Sequence, residues 1–269
     1  MKIVAAVLVA LLLTACSSFH FDHQELRLAH DPEADVLEIH ILYRNVRPSG
    51  EDEGDREDYD EVVGRILKGE RFFLLPPLFW DMDWEEQVSD LGRPGKELDE
   101  EDRMTLAFAR CLSVVEARRF EDDRGRPCLL QKVRLAPASR SMQLINEGIR
   151  DGILQDAESG ERLEEDDPEF DLRTRRLWVE EARAGVDWVV WKERTLTFTM
   201  PVSPSGAARL IEELVHLSRS GSGREALPLV SAITRSLTSL EIRDDHLYLE
   251  FAPGEDGWLS FELDDLVWD

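Results

Sequence analysis

Cysteine, lysine and tyrosine are scarce in this 269-residue chain, and no apolar run is long enough to cross a bilayer. The three cysteines, Cys16, Cys111 and Cys128, fall in no CxxC or zinc-ligand spacing. The longest apolar run is Ile3 to Leu13, well short of the roughly 18–20 residues a membrane-spanning helix needs. Gly-x-Ser-x-Gly, His-Glu-x-x-His and a phosphate-binding glycine loop are all missing, so nucleophilic, zinc-peptidase and nucleotide chemistry have no foothold. Gly221-Ser222-Gly223 is flexible punctuation, since it lacks the residues of a nucleophile turn. Positive charge is also short: 32 basic residues stand against 57 acidic ones, a net −25. Such a field repels phosphate backbones and anionic headgroups, which excludes nucleic acid as a partner and predicts a body that stands off a lipid surface. Acidity also keeps a protein soluble without any further role. The arginines lie among acids, as at Arg118, Arg119, Arg124 and Arg126, a pattern of ion pairing.

What is present is enough apolar material for a packed core: 42% hydrophobic residues and seven tryptophans. At the amino end Lys2 precedes the apolar run, which closes on Leu13-Thr14-Ala15-Cys16. This segment resembles the lipobox signal of bacterial lipoproteins, and the resemblance covers residues 1–18 alone. It implies a signal peptide at 1–15, cleavage between Ala15 and Cys16, and a diacylglyceryl group on the Cys16 sulfur. Acyl chains would then be the membrane partner, and no other cofactor is expected. Two or three chains hold durably where one holds marginally, at about 0.8 kcal/mol for each buried methylene. By the same resemblance Ser17 and Ser18 favour the outer membrane, facing the periplasm, in a cell with two membranes. Residues 16–24 would form the lipidated tether, and eight extended residues reach at most about 26–29 Å.

The rest of the chain reads as α+β, with antiparallel hairpins interleaved with helices. Leu26, Leu28 and His30 alternate with polar neighbours, Asp31 to Asp35 supplies a turn, and Leu37, Ile39, Ile41 and Tyr43 alternate again. Val62, Val63, Ile66 and Leu67 form a helical stripe that Gly69 can close. Phe72 to Leu75 reads as a strand ended by Pro76-Pro77. Further helices are expected from Asp99, over 141–157, over 171–184 and over 207–217, the last capped by Ser203-Pro204. Hairpins are expected at 114–135 and 188–202, and three strands near 240–243, 247–251 and 258–263. The polar stretch 159–168 suggests a boundary between subdomains 25–158 and 170–269, with a recurring hairpin-then-helix order.

Few residues invite chemistry. Asp81 and Asp83 could share one divalent ion, although a solvated loop is the plainer reading and the run fails the spacing of a calcium loop. His20 and His23, with Asp22, form a weak metal candidate on the tether. Cys111 and Cys128 could form a disulfide in an oxidising compartment, with two buried thiols the favoured reading. His30 is expected to be a hydrogen-bonded core residue, His216 a surface partner of Glu212, and His246 an unremarkable residue after a turn. The tryptophans at 188 and 191 point to core packing or to an exposed platform. These readings favour a lipid-anchored cell-envelope protein with a non-catalytic structural, assembly or ligand-binding role toward an envelope protein or glycan. The alternative is an envelope hydrolase using carboxylates or a divalent metal on glycan or peptide.

Overall fold

The computed structural model describes residues 19–73, 81–159, 169–203, 206 and 235–264. Ala15, Cys16, His216, the expected helix at 207–217 and most of the 159–168 boundary lie outside them.

The alternating segments form a five-stranded antiparallel sheet. Strand β2 (His23–Asp31) and β3 (Val36–Arg44) make the expected hairpin. β7 (Leu112–Glu121) and β8 (Pro127–Leu135) make a second, turned by Asp122 to Gly125. Gly125 there takes φ +72°, a left-handed backbone that glycine adopts without a Cβ penalty. β13 (Leu259–Asp264) completes the order β13-β2-β3-β8-β7. Period-two alternation places Leu26, Ile39, Ile41, Tyr43, Leu129 and Val133 on one face, all buried, and polar residues on the other. Small ribbons flank this sheet, β1 (Phe19–His20) with β4 (Arg47–Pro48) and β5 (Arg71–Phe73) with β6 (Asp81–Asp83).

Helices cover the apolar face. α1 (Glu53–Lys68) buries Tyr59, Val62, Val63 and Ile66 and ends on Gly69 at φ +77°. A Cβ on Gly69 would lie 2.9 Å from that of Val114, so the close approach of helix end and strand needs glycine as much as the dihedral does. α2 (Trp84–Leu91) and α3 (Glu100–Cys111) follow, α3 capped by the Asp99 carboxylate, which accepts the Asp102 N–H at 2.8 Å. α4 (Ala138–Ser159) is capped across the chain. The Asp35 carboxylate, on the β2–β3 turn, accepts the Ser139 N–H at 2.7 Å and its hydroxyl at 2.6 Å. That cap locks the first hairpin to the fourth helix.

Beyond α5 (Glu169–Ala184) comes a four-stranded sheet, ordered β11-β12-β10-β9. Its strands are β9 (Val189–Lys192), β10 (Thr195–Pro201), β11 (Ser239–Arg243) and β12 (His246–Phe251). Leu196 and Phe251 join the same core as Leu26 and Ile41, and the Phe251 and Phe261 rings meet at 5.4 Å. The edge of β9 is closed by Asn146 of α4, whose amide bonds both the N–H and the carbonyl of Val189.

The α+β class stands as read. The division into 25–158 and 170–269 does not match the layers. β13, from the second span, pairs with β2 of the first, Leu259 opposite Leu28, and one apolar core runs through both. Burial of both sheets in one apolar core, with α4 against each, outweighs the polar stretch between them. Among the described residues no helix is long and apolar enough to cross a membrane.

Candidate functional site

An imidazole–carboxylate pair lies where α5 rests on the four-stranded sheet. Glu181 comes from the last turns of α5, on the helical face that also carries Thr174 and Trp178, four and three residues apart. His246 opens β12 directly after the turn Asp244-Asp245, whose residues sit at φ +51° and +61°. Left-handed residues at both central positions are what a two-residue hairpin needs, and aspartate tolerates them. The turn thus aims the His246 ring at the helix.

His246 Nε2 bonds one oxygen of Glu181, and Nδ1 bonds the Asp244 carbonyl at 2.6 Å. The second Glu181 oxygen accepts the indole N–H of Trp188 at 2.8 Å. Trp188 is buried and its ring lies 5.4 Å from that of Trp178. Arg173 donates to Asp245 at 2.7 Å one helical stretch earlier, and the Ser203 N–H donates to the Thr174 hydroxyl at 3.4 Å. Burial opposes the charged ring, but the Asp244 carbonyl, the Glu181 carboxylate and the Asp245 charge outweigh it, so His246 titrates above the usual imidazole value.

Chemically this pair is closed. A general base needs a free ring nitrogen within reach of the proton it takes. Both nitrogens of His246 are already spent on acceptors, and the Ser203 hydroxyl accepts the Gly206 N–H at 3.2 Å. The arrangement fastens a helix to a sheet.

His30 and His40 make contacts of their own. His30 Nδ1 donates to the Glu193 carbonyl at 2.8 Å and its ring stands 5.4 Å from Trp191, stitching the two sheets together. His30 is hydrogen-bonded as expected but half-buried rather than in the core, while Trp188 and Trp191 are both packed side chains. His40 lies on the open face of the five-stranded sheet, in a cross-strand row of Ser260, Arg27, His40, Lys132 and Glu116. The Trp258 indole stacks on it at 4.3 Å and also receives the Arg27 guanidinium at 5.1 Å. Burial, with the Lys132 charge beside it, pushes His40 below the usual imidazole value. Lys132 pairs with Glu116 at 2.6 Å and Arg134 with Glu38 at 3.2 Å, so this face is charge-balanced in a strongly acidic chain.

The metal candidates do not converge. Asp22 bonds Asn45 and Arg47, which hold its carboxyl below the usual range against the opposing effect of partial burial. The tether triplet is therefore split: His20 lies in β1, Asp22 turns to Asn45 and Arg47, and His23 lies in β2. Asp81 and Asp83 sit in β6, opposite Phe73 and Arg71, in a strand where a loop was expected. No group of three or more His, Cys, Asp or Glu that could hold a metal occurs among the described residues. Cys111 and Cys128 are separate buried thiols. Cys128 pairs with Phe120 near the turn of the hairpin, while the Cys111 carbonyl accepts the Ala136 N–H at its open end, so the disulfide is not formed.

Sequence reasoning did not single out Glu181 and read His246, 65 residues away, as unremarkable. The one local signal was the Asp244-Asp245 turn, which fixes the aim of the next side chain. No protein-family model, curated protein or solved structure matches this chain.

Proposed function

We propose that this protein is a lipid-anchored component of the bacterial cell envelope with a non-catalytic structural or binding role. The non-catalytic part rests on one observation: His246, which meets the Glu181 carboxylate, has no ring nitrogen left for proton transfer. The anchor rests on the run Ile3–Leu13 and the motif ending at Cys16. The open face of the five-stranded sheet is the surface offered to an envelope protein or glycan. Its cations are matched by acids there, and Trp258 with His40 supplies a flat aromatic area.

Two measurements test this reading. Cells fed an alkyne fatty acid should label the wild-type protein, and Cys16→Ala should abolish the label; equal labelling of both removes the anchor. Purified protein should show no turnover of peptidoglycan or of peptide. Hydrolysis that disappears in Glu181→Gln would overturn the non-catalytic assignment.

A further inference from the structure

The contact between α5 and β12 has a property beyond fastening. A neutral imidazole carries one N–H and one lone pair, whereas the imidazolium carries two N–H groups. His246 faces two groups that only accept, the Asp244 carbonyl at 2.6 Å on Nδ1 and the Glu181 carboxylate on Nε2. Both contacts are satisfied at once only when the ring holds two protons. Loss of one turns a lone pair onto an acceptor and leaves that hydrogen bond unmade in a half-buried place.

We propose that Glu181 and His246 form a proton-operated latch: the doubly donating imidazolium clamps α5 to the four-stranded sheet, and its deprotonation on the alkaline side releases the helix.

The surroundings fit one titrating switch among fixed charges. From α5 the ring meets Glu181, while Arg173 is held by Asp245. The turn contributes the Asp244 carbonyl and the negative charge of Asp245. From β11 comes Arg243, opposite His246 in register, paired with Glu241 at 3.6 Å and lying over Tyr248. β12 itself contributes Tyr248, its ring 6.0 Å from the imidazole, and β10 contributes the uncharged Pro201. Carboxylates and arginines keep their charge from mild acid to mild alkali. His246 alone in this cluster changes state across that span.

The sign follows. Glu181 and Asp244 raise the closed-state titration of His246 above its ordinary value of 6.5. The stabilisation is complete below that value and is lost as pH rises through the raised one. Between the two, the opening equilibrium of α5 should grow by up to about tenfold per pH unit.

The experiment uses the full-length chain in detergent. Long-range proton–nitrogen NMR reads the His246 ring, and hydrogen exchange, corrected for intrinsic rate, reads the amides of residues 175–184. Expected are two ring N–H groups at neutral pH, a titration above 6.5, and protection of α5 falling as the ring deprotonates. His246→Gln should make that protection independent of pH. A His246 titration at or below 6.5, or an α5 profile unchanged by the substitution, overturns the latch. Should His246→Gln lose the fold, seen as lost protection in β3 and β8, Glu181→Gln decides instead: it must move the His246 titration downward, and an unmoved titration overturns the proposal. Neither readout involves turnover or acylation, so this result stands apart from the envelope reading.

Discussion

Asn146→Leu should weaken the protein by about 2–4 kcal/mol, on the cost of roughly 1–3 kcal/mol for each buried backbone group left unsatisfied. Asn146 is 2% exposed and makes four contacts with its amide. Its oxygen accepts the N–H groups of Trp188 at 2.8 Å and Val189 at 3.0 Å. Its nitrogen donates to the carbonyls of Val189 at 2.8 Å and Met142 at 3.0 Å. Met142 keeps its helical partner when the amide is removed, so that contact contributes little. The Trp188 N–H, just ahead of β9, and the Val189 groups on its outer edge have no such alternative, because leucine offers them nothing. Trp188 is buried and carries the full cost; Val189 is half-buried and recovers part of it from water. Urea unfolding followed by tryptophan fluorescence measures the loss, and exchange of the Trp188 and Val189 amides locates it. Asn146→Asp sharpens the test, since it keeps both accepted bonds but turns an oxygen toward the Val189 carbonyl. It should be destabilising at neutral pH and partly recover in acid, where a protonated carboxyl can donate. A leucine variant within about 0.5 kcal/mol of wild type would refute the reasoning, showing that the edge of β9 finds water or another partner.

Other consequences are equally direct. Gly69→Ala places a methyl 2.9 Å from the Val114 Cβ at φ +77°, and should cost about 1–3 kcal/mol in thermal or urea unfolding; a neutral result would mean the end of α1 can move. Asp35→Ala removes the cap that joins the first hairpin to α4 and should cost about 0.5–2 kcal/mol. Hydrogen bonds from Ser139 depress the Asp35 titration, so wild type should lose this advantage as pH falls through that lowered value, while the alanine variant shows no such loss. His40 and His246 should titrate on opposite sides of 6.5, His40 below and His246 above, and the reverse order by NMR would contradict both local geometries. Because His40 is depressed, its share of stability should fall as pH drops below 6.5.

Much of the local structure was legible because it is written in short-range periods. Leu26 and Leu28 facing Ile39 and Ile41, Gly69 ending α1 and Asp99 starting α3 all follow from spacing within a few residues. Alternation tells which face a residue takes, but not which strand lies beside it. Nothing near Leu259 says that it sits opposite Leu28, so the layers crossed the boundary the composition suggested. The same limit hid the site. Glu181 on its helix has the look of any solvated acid, and its meaning comes from a histidine delivered by a turn far along the chain. Asp81 and Asp83 misled in the opposite direction, since a polar pair resembles a loop even where the backbone pairs as β6.

The pairing of β13 with β2 has a mechanical consequence. β2 is the first long strand after residue 19, and it has a bonded neighbour on either side, β3 and β13, throughout most of its length. A pull arriving from the amino end must therefore break bonds to two neighbours rather than to one. β13, far along the sequence, thus serves as a brace for the first long strand.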